Sequence, residues 1–219
     1  GPEYFIEIGF PYSDPVADGP VIQHSSQKAL EYGMNLNLLF SQLKELRSRV
    51  SIPVLLMGYV NPVLQFGMEK FCAACSEVGV DGVIVPDLPM YEYEELYQKC
   101  FEQHNISNVF LITPQTSEDR IRKIDNLTKG FIYMLSSAST TGSNLSVSEE
   151  VETYFDRINQ MGLRNPTMIG FGISSRESFQ KAAQYTRGAI VGSAFVKLLG
   201  QLDWKEKAAE FVASLKRGQ

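Results

Sequence analysis

The sequence is poor in the residues that build disulfide frameworks and metal clusters, with three cysteines and two histidines among 219 residues. An odd, low number of cysteines is typical of a reducing compartment rather than of a disulfide-stabilised secreted fold. Cys72 and Cys75 form a C-x-x-C pair inside residues 68–78, which have the pattern of a helix. No second cysteine pair or nearby histidine completes a metal set, so we interpret both as buried helical cysteines, with redox or metal chemistry as the alternative, and expect no metal. His24 and His104 are isolated in the sequence, and we assign neither a catalytic role.

Long apolar runs and blocks of like charge are also missing. A formal net charge of −5 without a basic cluster argues against a nucleic-acid footprint. No run approaches the roughly 20 apolar residues that a membrane helix needs, and no secretory signal is visible at the start. We therefore expect a cytoplasmic protein that forms a single domain over residues 1–219, with no linker or low-complexity tract.

What the sequence does contain is an alternation of short apolar runs and longer amphipathic stretches. The runs are nearly continuous in Val, Ile, Leu, Met and Phe, as strands buried on both faces of a parallel sheet are. We predict seven strands, at residues 4–9, 54–59, 82–87, 108–113, 130–136, 167–171 and 188–192. Strands that alternate with helices predict an α/β fold of the (β/α)8 TIM-barrel class. Because such a barrel needs eight strands and the chain opens on a strand, either the sheet is open or the first βα unit is absent, and we favour the second.

The stretches between the runs have helical spacing and plausible caps. Ser117 is a plausible N-cap for a helix over residues 117–127. Ser174 and Glu177 have the spacing of a capping box ahead of a later helix. The first amphipathic stretch places its apolar residues at helical intervals: Leu36, Leu39, Phe40, Leu43 and Leu46.

One carboxylate interrupts the apolar sequence of the first strand. A buried Glu7 is costly, so desolvation should raise its pKa and let it exchange protons near neutral pH. A strand-end position with a hydrogen bond to a neighbour is an equally open interpretation. The loop at residues 9–20 carries three prolines and two aspartates, Asp14 and Asp18. The stiff prolines can hold an aspartate near Glu7, whereas a turn-rich surface loop is the alternative.

Two glycine turns follow the last two predicted strands, at residues 170–174 and 191–194. Glycine lets the backbone approach an anion, helix N-termini present free N–H donors, and TIM barrels often bind phosphate after their last two strands. We predict a phosphate site there. The hydroxyl-rich loop at residues 136–144 is either a lid that closes over a ligand or a plain surface connection.

Residues 7–20 as a whole, Glu-Ile-Gly-Phe-Pro-Tyr-Ser-Asp-Pro-Val-Ala-Asp-Gly-Pro, resemble the signature of tryptophan synthase α subunits. The resemblance runs from about residue 4 to the C-terminus. Further segments that resemble the family are residues 56–62, 85–89, 141–142, 170–174 and 192–194. It implies a carbon–carbon lyase of tryptophan biosynthesis that splits indole-3-glycerol phosphate into indole and glyceraldehyde 3-phosphate by a retro-aldol reaction.

The resemblance also implies residue roles. Glu7 matches the principal acid–base residue, Asp18 the second carboxylate that accepts from the indole N–H, and Tyr133 a tyrosine beside the reacting centre. Substrate-binding positions match at Ile22, Met57, Tyr59, Thr141, Gly142, Phe171, Gly172, Gly192 and Ser193. The side that faces a β subunit in an α2β2 assembly matches at Asp14, Pro15, Asn61, Asp87 and Pro89. No cofactor is implied for this chain, since pyridoxal phosphate is expected only in the partner β subunit.

The chain departs from the family pattern in two places. Many members read Ser-Arg-Ala-Gly-Val-Thr-Gly where residues 136–142 carry Ser137 and Ser139 instead of the arginine and the first glycine. The family also carries further residues ahead of the first strand. A stand-alone indole-glycerol-phosphate lyase, and a catalytically impaired form that acts only as a partner-binding subunit, are therefore the alternative functions.

Overall fold

A computed structural model describes residues 4–135, 149–170 and 172–216. Over these ranges, none of the helices has both the length and the apolarity that crossing a membrane requires. The chain divides into two compact units. The first comprises Gly1–Pro15, Ser26–Phe110 and Asn126–Gly130, and the second comprises Val16–Ser25, Leu111–Asp125 and Phe131–Gln219.

The first unit contains a four-stranded parallel sheet. In order of both sequence and pairing, its strands are β1 (Ile6–Gly9), β2 (Val54–Met57), β3 (Gly82–Ile84) and β4 (Ser107–Val109). Glu7 of β1 lies opposite Leu55 of β2. The middle strands are buried throughout except at Met57, because their apolar side chains are covered on both faces.

Helices follow the first three of these strands, and the first six residues of α1 belong to the second unit. Along the chain they are α1 (Pro20–Glu31), α2 (Leu36–Gln42), α3 (Leu46–Arg49), α4 (Val60–Phe66), α5 (Met68–Val78), α6 (Met90–Glu92) and α7 (Gln98–Gln103), with a π-helical turn at Tyr93–Tyr97. Cys72 and Cys75 are fully buried on α5, which confirms that they are buried helical cysteines. Phe71 of the same helix packs edge-on against Phe40, with ring centroids 5.7 Å apart.

The second unit contains a second four-stranded parallel sheet. Its strands, again in sequence order, are β5 (Leu111–Ile112), β6 (Ile132–Leu135), β7 (Thr167–Gly170) and β8 (Gly188–Ala189). Its helices are α8 (Glu118–Leu127), whose last two residues belong to the first unit, α9 (Glu149–Gln160), α10 (Arg176–Ala183), α11 (Ser193–Leu199) and α12 (Trp204–Lys216). Ile132 and Ile169, on neighbouring strands, are fully buried.

The predicted strand at residues 108–113 is two strands, which raises the number over the described residues from seven to eight. β4 pairs with β3, whereas β5 pairs with β6 in the other sheet. Phe110 lies between the two strands, and its ring packs edge-on against Tyr93 at 5.2 Å. The prediction of one strand was therefore wrong here, because an aromatic residue that fits an apolar run forms the break.

Two further expectations need correction, and one is confirmed. Ile6 of β1 is 38% exposed, because β1 is an edge strand of its sheet, so the prediction of burial on both faces was wrong for this strand. The capping box of α10 uses Ser175 and Ser178 rather than Ser174 and Glu177. Ser175 is extended, with φ −144° and ψ 166°, and its hydroxyl accepts from the Ser178 N–H. Ser117 does cap α8, since its hydroxyl accepts from the Arg120 N–H at 3.3 Å.

A carboxylate holds the amino-terminal side of the sheet in the first unit. Asp81 accepts a hydrogen bond from the Val54 N–H at 2.8 Å, where β2 begins. The same carboxylate forms an ion pair with Arg47. The Arg47 guanidinium also donates to the backbone carbonyls of Gly79 and Ile52, both at 2.8 Å. The exposed fractions of the two side chains are 34% for Arg47 and 51% for Asp81, so water surrounds much of this ion pair.

In the second unit, a different carboxylate holds the amino-terminal side of the sheet. Asp125 on α8 accepts from the backbone N–H groups of Arg164 at 2.9 Å and Asn165 at 3.0 Å, just before β7. The Asn165 side-chain amide donates to the same carboxylate at 2.9 Å. Burial alone would raise the pKa of Asp125, but these N–H donors and the Arg164 guanidinium outweigh it, so the pKa lies below its ordinary value.

Candidate active site

Glu7 lies on β1, two residues before the strand ends at Gly9. Its side chain is half-buried, and its Oε2 oxygen is shielded from solvent. The carboxyl ends of parallel strands are where barrel enzymes place their chemistry. A carboxyl group at such a place is a candidate for giving and taking a proton, and the predicted rise of its pKa stays a prediction.

The loop after β1 is anchored to β2 by its first residue. The Phe10 N–H donates to the Met57 carbonyl at 2.9 Å, which extends the ladder by one step. The Phe10 ring is buried and packs edge-on against Phe71, with centroids 6.0 Å apart. This anchor fixes the direction in which the loop leaves the strand that carries Glu7.

Tyr12 ties the same loop to two further elements. Its N–H donates to the Ser26 hydroxyl at 3.2 Å, and that hydroxyl donates to the Tyr12 carbonyl at 3.4 Å. The Tyr12 ring packs against Tyr59 at 5.4 Å, and Asn61 donates its side-chain amide to the Tyr12 hydroxyl at 3.4 Å. The stiffness that we predicted from the prolines of this loop therefore depends on Tyr12 as well, a residue that was not among the predicted site residues. Two tyrosines, each close to the end of a parallel strand, are the signal that could have revealed the pair.

Asp87 caps a helix that belongs to a neighbouring loop. Its Oδ1 oxygen accepts from the Val60 N–H at 2.8 Å, at the first residue of α4. Tyr59, the N-cap residue of α4, makes no capping hydrogen bond with its own side chain. A carboxylate at a helix N-terminus satisfies a free donor and complements the helix dipole. Asp87 therefore helps to fix Tyr59 and Asn61, a role that sequence spacing did not reveal.

The residues predicted to face a partner subunit lie in this unit and are at least partly accessible. Asp14, Asp87 and Pro89 are exposed, and Pro15 and Asn61 are half-buried. Of the residues predicted to bind substrate, Met57 and Tyr59 follow or end β2 and are half-buried. The first unit thus brings Tyr59 and Asn61 against Tyr12, and it places Glu7 on the strand next to Met57.

Tyr133 occupies the centre of β6 in the second unit and is 2% exposed. Its hydroxyl and ring edge lie directly over the backbone of Gly170, where a Cβ atom would overlap the tyrosine. Gly170 ends β7, so the absence of a side chain there makes room for the predicted catalytic tyrosine. The packing of Tyr133 therefore explains the glycine at the end of β7, independently of the predicted phosphate contact.

Asp18 and Ile22 lie at the start of α1 and are both half-buried. The Asp18 backbone carbonyl accepts from the Gln23 side-chain amide at 2.6 Å. The Gly19 carbonyl accepts from the Gln23 N–H at 3.0 Å, which closes the first turn of the helix. The backbone of Asp18 is thus held by the helix that follows it.

The predicted phosphate-binding backbone lies after β7 and β8. Gly172 has φ +75°, in the left-handed region that favours glycine. Gly192 is the residue before α11, and an added Cβ there would have no heavy atom within 4 Å, so the backbone faces open space. Ser193 is the first residue of α11 and is half-buried. Thr141, Gly142, Phe171 and the whole of the predicted lid loop at residues 136–144 lie outside the described residues.

The sequence and the fold both match one family of known proteins. The sequence model of the family "Tryptophan synthase alpha chain" matches residues 3–218. This chain belongs to the tryptophan synthase alpha chain family. The tryptophan synthase alpha chain of Flavobacterium psychrophilum is 57% identical over 194 residues, which cover 89% of this chain and 77% of that one. The alpha chain of Christiangramia forsetii is 55% identical over 197 residues, covering 90% and 77%.

Solved structures of the tryptophan synthase alpha family give the same answer for the fold. The tryptophan synthase complex of Pyrococcus furiosus matches with a TM-score of 0.85 at 34% identity, over 95% of this chain and 84% of that chain. The α subunit from the same organism matches with a TM-score of 0.85 at 35% identity and the same coverage. The predicted family and the predicted α/β fold class of TIM-barrel type are both confirmed.

Proposed function

We propose that this chain cleaves indole-3-glycerol phosphate to indole and glyceraldehyde 3-phosphate, with Glu7 as the acid–base residue. The chain belongs to the family, and one observation adds to that membership. Glu7 lies on the predominantly apolar strand β1, and its Oε2 oxygen is shielded from solvent. Such an environment disfavours a permanent charge and suits a group that alternates between acid and base.

The reaction is a retro-aldol cleavage with two proton transfers. Protonation of indole C3 turns the ring into an electron sink. Removal of the proton from the glycerol hydroxyl next to the bond that breaks then forms the aldehyde carbonyl, and the carbon–carbon electron pair flows into the indole ring. Glu7 performs both transfers, giving its proton to C3 and taking one from the hydroxyl, so it ends in the state in which it began.

Asp18 stabilises the charge that develops on the substrate, and Tyr133 helps to position the substrate. We assign to Asp18 the acceptance of the indole N–H, because a carboxylate stabilises the cation that forms when C3 is protonated. Tyr133 is the tyrosine beside the reacting centre, and its packing over Gly170 fixes its ring. Ile22, Met57, Tyr59 and Phe171 surround the indole and glycerol parts. The phosphate group is bound through Thr141, Gly142, Gly172, Gly192 and Ser193.

A β subunit is the proposed partner, and the chemistry above needs no cofactor in this chain. One of the matched structures is described as the tryptophan synthase complex of Pyrococcus furiosus, which supports a partner for this chain. Asp14, Pro15, Asn61, Asp87 and Pro89 form the proposed contact side, and all of them are at least partly accessible. Pyridoxal phosphate would belong to that β subunit in an α2β2 assembly in the cytoplasm.

The test is indole release from indole-3-glycerol phosphate by wild type and by Glu7→Gln. The amide keeps the shape of the carboxyl group and removes its proton transfer, so we expect the rate to fall by roughly 10²- to 10⁴-fold. Glu31→Gln, at the exposed end of α1, is the matched control and should retain full activity. If wild type releases no more indole than Glu7→Gln, the catalytic assignment fails, and the chain acts only as a partner-binding subunit.

Addition of a β subunit separates the two enzymatic alternatives. A partner-dependent α subunit should turn over faster once the β subunit is present, because the partner stabilises the closed site. High activity that the β subunit leaves unchanged would instead identify a stand-alone lyase with the same catalytic residues.

A further inference from the structure

Side chains that bind metals converge on two helices of the first unit. Glu69 lies in the first turn of α5, Cys100 lies on α7, and His104 is the C-cap residue of α7. One ligand atom from each of the three lies within 4.8 Å of the other two. His104 Nε2 is 2.8 Å from Glu69 Oε1, and the Cys100 thiol donates to the backbone carbonyl of Met68, the residue before Glu69, at 3.9 Å.

The helical spacing explains why these residues meet. Glu69 and Cys72 are three residues apart on α5, and Cys100 and His104 are four apart at the end of α7, so each pair shares one face of its helix. The His104 N–H donates to the Cys100 carbonyl at 3.2 Å, which keeps this last turn helical. Two helices therefore present two potential ligands each. No local sequence pattern indicates this set, because Glu69 and His104 are 35 residues apart.

We propose that Glu69, Cys72, Cys100 and His104 bind one Zn²⁺ ion that links α5 to α7. Two sulfur atoms, one imidazole nitrogen and one carboxylate oxygen are a donor set that zinc accepts in tetrahedral geometry. Zinc–ligand bonds of about 2.0 to 2.3 Å place tetrahedral donor atoms about 3.3 to 3.8 Å apart. Donor atoms that are now up to 4.8 Å apart must therefore approach by about 1 to 1.5 Å, whereas the Glu69 and His104 atoms at 2.8 Å must separate slightly. Cys72, three residues after Glu69 on α5 and close enough to Cys100 for the two thiols to influence each other, supplies the fourth ligand.

The Glu69 carboxylate favours a cation in this cluster, whereas the two thiols must lose their protons before they can bind one. Among the described residues, the salt-bridge partner of Glu69 is His104, and no lysine or arginine lies within ion-pair distance of its carboxylate. Burial raises the pKa of Cys72 and, with the help of the Glu69 carboxylate, raises the pKa of Cys100 to about 11. Both thiols therefore stay protonated when no metal is present. Zinc would bind as it displaces these two protons to solvent, which leaves two thiolates and a carboxylate around a divalent charge.

Alternative uses of the same residues fit the observations less well. A reactive thiol has a lowered pKa and is exposed, whereas Cys72 and Cys100 are buried and have raised pKa values. A site closed by four protein ligands leaves no position for a reacting water and is structural rather than catalytic. We therefore assign the ion a stabilising role that is independent of indole-3-glycerol phosphate cleavage.

The test is titration of the reduced, chelator-treated full chain with Zn²⁺ and with Co²⁺ as its spectroscopic substitute. We expect one ion per chain, tetrahedral d–d bands in the visible and sulfur-to-cobalt charge-transfer bands in the near ultraviolet. His104→Ala should weaken zinc binding by at least the roughly 10- to 100-fold that loss of an outer-shell partner costs. His24→Ala, which removes the other histidine on exposed α1, should change nothing.

Two more variants keep the outcome independent of folding defects. Glu69→Gln alters a side chain that is 71% exposed, so it should weaken zinc binding while the melting temperature of the metal-free chain stays unchanged. Cys75→Ala removes the buried cysteine that lies outside the cluster and should leave the cobalt spectrum intact. Absence of saturable binding, a cobalt spectrum without sulfur bands, or binding that survives both His104→Ala and Glu69→Gln would overturn the proposal. Indole release is no part of this readout, so its failure and that of the proposed function remain distinguishable.

Discussion

The two units hold the amino-terminal side of their sheets by carboxylates that work in different surroundings. Asp81 in the first unit accepts from the Val54 N–H and pairs with Arg47 in a position where both side chains meet water. Asp125 in the second unit is 6% exposed and accepts from two backbone N–H groups and one amide. Exposed ion pairs contribute little, whereas removal of one partner from a buried network leaves unsatisfied donors.

The comparison also separates stability from chemistry. In barrels of this class the amino-terminal side serves stability and the carboxyl-terminal side carries the active site. Asp81 and Asp125 lie on the first side, and Glu7 and Asp87 lie towards the second, at or after strand ends. Substitutions at Asp81 and Asp125 should therefore lower the free energy of unfolding while activity per folded molecule stays unchanged.

The largest effect is expected for Asp125→Ala. The substitution leaves the N–H groups of Arg164 and Asn165 without their acceptor, so we expect a loss of about 3 kcal/mol in the free energy of unfolding. Urea denaturation of the purified chain measures it. Asp119→Ala, on the exposed side of the same helix, is the matched control and should cost less than about 1 kcal/mol. Equal losses in the two variants would show that burial of Asp125 does not matter.

How far the sequence predicts these features depends on the distance along the chain between interacting residues. Apolar runs predicted where the strands lie, and the polar Glu7 within such a run pointed to the candidate site. The role of Asp125 depends on residues 164 and 165, about 40 positions later, which no local pattern can identify. One signal was present, since Asp125 is four residues after Ile121 and therefore on the buried face of α8.

The break at Phe110 and the Glu69–His104 contact were beyond prediction for related reasons. Phe110 is as apolar as its neighbours, so only the pairing of β4 and β5 with different strands reveals the break. The His104 contact arises because α5 and α7 pack together, and that packing is a tertiary event. The predicted residue roles came from the resemblance of the whole motif to a family. Spacing alone could not decide whether Asp18 lies near Glu7 or in a turn-rich surface loop.

The next largest effect is the pH dependence of the difference in unfolding free energy between wild type and Asp125→Ala. The pKa of Asp125 is lowered in the folded chain, so its contribution to stability is fully present above the unfolded value of about 3.9 and disappears as pH falls through the folded pKa. The gap in unfolding free energy between wild type and Asp125→Ala should therefore be constant from pH 7 to about pH 5 and narrow below about pH 4. Urea denaturation in a pH series checks this. A gap that widens on acidification would reverse the sign and refute the lowered pKa.

The smallest effect is expected for Asp81→Ala, at about 1 kcal/mol, because the ion pair is exposed and only the Val54 N–H loses a partly buried acceptor. Arg47→Ala should cost more than Asp81→Ala, since the guanidinium also donates to the carbonyls of Gly79, Val50 and Ile52.

A double-mutant cycle of Arg47 and Asp81 in urea isolates the ion pair, and the coupling energy should shrink when salt is raised towards 1 M, where screening acts over roughly 3 Å. The coupling of Asp125 with Asn165, measured with Asn165→Ala, should resist the same salt, because Asn165 is neutral and the Asp125 carboxylate is buried. If both couplings respond equally to salt, the two carboxylates do not differ in the way their exposure indicates.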